Sequence, residues 1–264
     1  MSQEPQVTSI RASDGSTVKI EYHKSLPSTS ALAREYALAG YPDRYVVFTD
    51  AQSCSQITGT RLSEGEYENG IFMSCILRPS FFPSQAGLLG HISTVALVSA
   101  LDEHTTKNLG IGWVSDVYCD GVRLGGCAVE GKLNSHFSYE YLIVTLAVAL
   151  NKRDFPPRLT DMIKKVFESE SAPLSMLIAK NILNKFFTAY SSIRNPGKYM
   201  DAYRRRFILR DKKIKYLSGD KKIRCRIVDV DKENGLLIVE GRRGEKIEIR
   251  SPSLVVMPKR VKIK

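Results

Sequence analysis

Two hydrophobic periods alternate along the first part of this chain. Leu32, Ala33 and Tyr36 share one face of a predicted helix over 29–39, with Ser28 or Ser30 as N-cap and Gly40 and Pro42 ending it. A short apolar run predicts a strand over 45–49. The stretch 51–70 is polar, contains glycine and has little periodicity. At about twenty residues it is long for a connection in a compact domain, and loops of that kind are often functional. A strand over 71–77 precedes a helix over 84–101 with apolar positions at Leu88, Ile92, Val95, Leu97 and Leu101. Strands over 111–114, 117–119 and 122–129 follow, the last two joined by the turn pair Asp120-Gly121. A further strand is predicted over 139–150, then helices over 161–168, 173–190 and 199–208.

Beyond Arg210 the period is two throughout. Strands over 213–217, 223–230, 236–240, 246–249 and 254–257 are separated by turn residues at Ser218-Gly219-Asp220, Asn234-Gly235 and Arg243-Gly244. Regular short hairpins of this kind predict a small barrel. The expected architecture is therefore α+β: a mixed or antiparallel sheet flanked by helices over 1–210, then a small β-barrel domain over 211–264. No internal repeat or low-complexity segment interrupts it.

Charge sharpens the boundary. Residues 203–264 hold 20 Lys and Arg against 8 Asp and Glu, whereas the remainder, with 19 against 20, is near neutral. That asymmetry suits an anionic partner or simply a solubilising surface. With 43% hydrophobic and 25% charged residues the chain reads as an ordinary globular protein. The polar stretch 1–7 does not look like a secretory leader, and the longest apolar run, 141–150, is half of the ~20 residues that cross a bilayer. The five cysteines (Cys54, Cys75, Cys119, Cys127 and Cys225) are scattered, form no CxxC pair and read as reduced thiols of a cytoplasmic protein. The four histidines are equally dispersed, so no protein-built metal site is expected.

Three constellations carry candidate chemistry. Pro27-Ser28-Thr29-Ser30 opens a helix, where free N–H groups and hydroxyls can hold a polar ligand head or merely cap the helix. Gln56, Gly59, Thr60 and Arg61 lie in the long loop, where an arginine beside glycine can cradle phosphate or carboxylate. Gly112-Trp113-Val114-Ser115-Asp116 faces Arg123, Gly125 and Gly126 across the Asp120-Gly121 turn, so hairpin geometry should bring Asp116 and Arg123 together. Asp116 suits magnesium or an amine, Arg123 an anion, and the glycines a close backbone approach; the plain reading is a hairpin with one surface ion pair and a buried Trp.

In order and spacing these stretches resemble the biotin–protein ligase family of the wider biotin/lipoyl ligase and transferase superfamily. That family has D-S-T-N at a helix start, then a strand leading to Q-T-A-G-R-G-R-R-G-R, then S-x-x-L-R-P, W-P-N-D, K-x-x-G, G-I-G-I-N and a closing SH3-like barrel. The counterparts are Pro27-Ser28-Thr29-Ser30, Gln56-Ile57-Thr58-Gly59-Thr60-Arg61, Ser74-Cys75-Ile76-Leu77-Arg78-Pro79, Trp113-Val114-Ser115-Asp116, Arg123-Leu124-Gly125-Gly126 and Ala147-Val148-Ala149-Leu150-Asn151. The chain departs from the pattern in its shortened glycine–arginine loop, in Val114 and Ser115, in arginine for lysine at Arg123, and in the residues before Asn151. Arginine keeps the charge but is not a drop-in for lysine.

The resemblance implies an ATP-dependent ligase that makes biotinyl-adenylate and passes biotin to a lysine of a carrier-protein domain, with biotin, ATP and magnesium as its ligands. It implies Ser28, Thr29, Gln56, Gly59 and Gly126 at the biotin, Arg61, Trp113 and Asn151 at the adenylate, and Arg123 and Asp116 as catalytic groups. Its rivals are a lipoate or octanoate ligase or transferase, for which Cys54 or Cys127 could be the nucleophile, and a ligand binder without turnover. A monomer or homodimer is expected, with neither nucleic acid nor membrane as partner. Only about twenty residues precede the resemblance, fewer than the winged helix of the family's repressors needs, and the basic tail has no interleaved aromatics for stacking bases. Steering an acidic carrier is the simpler use of its charge.

Overall fold

The computed structural model describes residues 4–53, 56–57, 60–61, 70–104, 108–149 and 174–256, with backbone alone for 56–57, 60–61, 122, 149, 174 and 256. The chain order is β1 (Gln6–Arg11), β2 (Thr17–His23), α1 (Thr29–Leu38), β3 (Tyr45–Thr49), β4 (Gln56–Ile57), β5 (Thr60–Arg61), β6 (Gly70–Leu77) and α2 (Leu89–Leu101). Then come β7 (Leu109–Gly112), β8 (Asp116–Cys119), β9 (Val122–Leu133), β10 (Tyr139–Ala149), α3 (Leu174–Tyr190) and α4 (Gly197–Arg205). The last strands are β11 (Lys213–Ser218), β12 (Lys221–Val230), β13 (Leu237–Glu240), β14 (Lys246–Ile249) and β15 (Val255–Val256). The helix expected over 161–168, together with Cys54, Gly59 and Asn151, lies outside the described residues.

Eight strands form one sheet in the order β1-β2-β3-β6-β10-β9-β8-β7. It is mixed: β2 and β3 pair parallel, and every other neighbour pairs antiparallel. A parallel pair needs a crossover, which α1 supplies on one face. All five residues of β3 are buried because both of its faces are covered. Tyr45 and Val47 meet Ala33 and Ala37 of α1, while Val46 and Phe48 join the larger core under α2 and α3. Each fully buried side chain of this size stabilises by about 1.5–3 kcal/mol. Arg78 ties the layers: its guanidinium donates to the carbonyls of Ala37, in the last turn of α1, and of Tyr41 and Glu140. The arginine of the S-x-x-L-R-P-like stretch is thus engaged with backbone.

The second sheet is a five-stranded antiparallel meander, β14-β13-β12-β11-β15, a small β domain. Its inward residues Ile214, Cys225, Ile227, Val230, Leu237, Val239 and Ile249 belong to the same apolar cluster as the core of the large sheet. Several boundaries differ from the sequence reading. The hairpin of β1 and β2 was not anticipated; the helix over 84–101 opens as a 3-10 turn, Pro83–Leu88, before α2; and α4 begins and ends earlier than 199–208. By length and composition the stretch Pro83–His104 could cross a bilayer, but 67% of its most apolar window is buried inside the protein, the profile of a core helix.

Candidate active site

The side of the large sheet that faces α1 changes character along its strands. Near Tyr45, Val47, Ile76, Tyr141 and Ile143 it is apolar. One step along, Ser74 and Thr145 stand directly opposite each other on β6 and β10, with hydroxyls 2.9 Å apart. Ser74 donates to Thr29 Oγ1 at 3.0 Å. Gln52 Oε1 accepts from the Thr29 N–H at 2.9 Å and its hydroxyl at 3.2 Å. All four side chains are buried. Ser28 is the N-cap of α1, its Oγ accepting from the Ala31 N–H at 3.2 Å and lying 3.1 Å from the Ser30 hydroxyl. The first constellation therefore divides its work: Ser28 caps, and Thr29 turns inward.

A further step along, one row runs through Phe72, Ala147, Gly126 and Asp116 on β6, β10, β9 and β8. With Ala128 in the row of Thr145, the floor between the hydroxyl cluster and Asp116 has almost no side-chain volume. At the far end Arg123 closes a pair with Asp116, Nε and Nη2 standing 2.7 and 2.6 Å from Oδ1. Two residues on either side of a tight turn were expected to meet, and they do. Strand spacing puts roughly 15 Å between Asp116 and Ser74. The hairpin of β4 and β5, in which Gln56 pairs with Arg61, lies beside β9. The side chains of Gln56 and Arg61 lie outside the described residues.

No family model matches the chain. Over 179 residues it is 27% identical to the bifunctional ligase/repressor BirA of Bacillus subtilis (strain 168), covering 67% of this chain and 55% of that protein. It is 24% identical, with the same coverage, to the BirA of Bacillus spizizenii. The chain thus spans about half the length of the curated relatives it matches. Among solved structures, the biotin protein ligase of Aquifex aeolicus in complex with biotin and ATP has a TM-score of 0.66 at 19% identity, covering 90% of this chain and 97% of that one. A biotin protein ligase-like protein of unknown function from Silicibacter sp. tm1040 gives 0.64 at 14% identity, with coverage of 91% and 97%. The sequence match and the shared fold point the same way. The chain is similar in sequence to these BirA proteins and shares the biotin–protein ligase fold.

Gln52, buried and hydrogen-bonded to Thr29, is a residue that the sequence reading did not single out. Gln52 comes three residues after β3, whereas Gln56 sits in β4. Position relative to the strand was the available signal; the choice of Gln56 rested on Gly59 and Arg61 downstream. The paired glycines serve strand packing: a Cβ on Gly125 would stand 2.0 Å from the Ala147 carbonyl oxygen, and one on Gly126 2.3 Å from that of Ser115. Close approach here is between backbones. Trp113 is buried, and its indole N–H donates to the Gly235 carbonyl at 2.9 Å, joining the two sheets. Cys127 is sealed in the core; burial pushes its thiol up to about 12, with the Thr94 hydroxyl donating to Sγ at 3.7 Å. Such a thiol stays protonated at neutral pH and is no nucleophile.

Proposed function

We propose that this chain activates biotin with ATP to biotinyl-adenylate and transfers biotin to a lysine of a carrier-protein domain. The observation that carries the reading is the single floor running from the buried Thr29, Gln52, Ser74 and Thr145, over Gly126, Ala128 and Ala147, to the Asp116–Arg123 pair. Biotin has the same order of chemistry: a ureido head that donates and accepts hydrogen bonds, an apolar arm and a carboxylate tail. Lipoate and octanoate have no polar head to use the first of these groups, and Cys127 is unfit for the transferase route. Further support comes from the fold shared with the Aquifex enzyme in complex with biotin and ATP and with the Leishmania major biotin protein ligase in complex with biotin, the latter at a TM-score of 0.58 and 17% identity.

In this reading a biotin carboxylate oxygen attacks the α-phosphorus of ATP and pyrophosphate leaves. The lysine amine of the acceptor then attacks the acyl carbon, and AMP leaves. Arg123 stabilises charge on the carboxylate and phosphate, and Asp116 orients its guanidinium, which is the electrostatic preorganisation such a step needs. In this reading Ser28, Thr29, Gln52, Gln56, Gly59 and Gly126 serve the biotin and Arg61 and Asn151 the nucleotide end, while Trp113, buried with its indole N–H on the Gly235 carbonyl, acts from behind the site and not as a ligand contact. Among the described residues no group of three or more His, Cys, Asp or Glu is disposed to hold a metal, so magnesium would arrive with the phosphates of ATP, as that ion usually does. Purified protein with biotin, magnesium-ATP and a biotin carboxyl carrier domain should yield an avidin-reactive carrier. Arg123→Ala should lower biotin-dependent ATP–pyrophosphate exchange at least a hundredfold, about 3 kcal/mol of transition-state stabilisation. Undiminished exchange would remove Arg123 from the mechanism.

A further inference from the structure

The turn between β12 and β13 reaches the head of the hairpin that carries Asp116 and Arg123. Gly235, in that turn with φ of 72°, accepts the Trp113 indole N–H at 2.9 Å. On its other side a Cβ would come within 2.4 Å of the His91 ring. His91 is buried against Tyr203, ring centroids 4.6 Å apart, with Nδ1 3.3 Å from the Gly87 carbonyl oxygen and the ring against the Gly235 backbone. The Tyr203 hydroxyl donates in turn to the Val114 carbonyl at 2.8 Å and lies 3.3 Å from that of Gly112. From β9, the Cys127 carbonyl receives the Ser115 hydroxyl at 2.6 Å. Two routes from Gly235, one through Trp113 and one through His91 and Tyr203, therefore end on the residues immediately before Asp116.

Those residues set where the Asp116 carboxylate stands, and Asp116 in turn holds Arg123. We propose that the Asp231–Gly235 turn of the small β domain is a positioning device for the reaction, acting through the Gly235 carbonyl on Trp113 and so on the Asp116–Arg123 pair. This rests on the ligase reading above. A buried indole N–H needs an acceptor, and Gly235 supplies it from the second sheet. A shift of about 1 Å in a catalytic group can cost up to a hundredfold in rate, so a remote turn can govern the chemical step without touching substrate. Trp113 is the single tryptophan of the chain, so intrinsic emission reads this contact without interference.

The test uses the full chain and follows biotin-dependent pyrophosphate exchange, tryptophan emission and the thermal midpoint. Trp113→Phe removes the donor and keeps a ring. Gly235→Ala brings a methyl against His91 and strains the turn, and His91→Ala in that background gives the methyl room. Both single variants should stay folded at the assay temperature and lose at least tenfold in kcat, with the biotin KM within about twofold of the original. Emission of Gly235→Ala should shift to the red, and the double variant should recover both emission and part of the kcat. Unchanged kcat in the two single variants overturns the proposal, as does a raised KM with kcat preserved, which would make Trp113 a ligand contact. An unmodified chain with no exchange at all overturns the ligase reading and this one together, so the two failures are told apart.

Discussion

His91 has a second consequence, at the scale of one side chain. Burial lowers its pKa from 6.5 to about 4, so the folded ring stays neutral where an unfolded one would already hold a proton. Between those values the unfolded state binds more protons, and stability falls as pH falls. The full effect is about 1.4 kcal/mol per pH unit, present above 6.5 and lost on acidification toward 4. Denaturant melts from pH 7 to 4.5 should show the unmodified protein losing stability relative to His91→Gln; parallel curves would refute it. Nothing in the sequence marked this histidine, because a lone His in an apolar helix pattern carries no ligand signature. Asp116 and Arg123, by contrast, were legible, since the Asp120-Gly121 turn puts them on adjacent strands, where the long arginine side chain reaches from its place opposite Tyr118 to the Asp116 carboxylate. Gln52 was not, because its role depends on the approach of α1 to β6.

At the scale of the element, the hairpin of β8 and β9 depends on glycine for a steric reason. Gly126→Ala should cost about 2 kcal/mol or more, because its Cβ would stand 2.3 Å from the Ser115 carbonyl, a backbone atom that cannot turn aside. Gly87→Ala is the control, with nothing within 4 Å of the added methyl, and should leave the thermal midpoint nearly unchanged. Equal midpoints for the two variants would dispose of the argument. Elements with a strong period, such as β6, β10 and the C-terminal strands, were legible from pattern alone. The edge strand β1 was not: of its few apolar residues Val7 is 60% exposed, so little burial imprints a period there. The start of α3 and the strand pair β14 and β13 fell within a residue of expectation.

For the whole molecule, charge and core point in different directions. Register sets Lys213 opposite Arg226 and Lys215 opposite Arg224, like-charge neighbours that disfavour the sheet unless offset. Arg226 is offset by Asp211 and Glu240. If this face steers an acidic acceptor, raising salt from about 50 to about 500 mM should slow carrier biotinylation several-fold at low carrier concentration. Pyrophosphate exchange, which needs no carrier, should hold nearly constant over the same range. Transfer that ignores salt would make the charge a solubility feature. The composition shift near residue 210 was visible in the sequence; the single apolar cluster that runs across it was not, because it depends on long-range approaches such as those of Trp113 and His91 to Gly235.

That shared cluster means the chain cannot be trimmed at residue 210 without harm. A shortened product would carry Ile111, Phe207 and Leu209 into water as a raw flank, stripped of Ile227 and Leu237. Its natural fate is aggregation, not a lighter folded protein.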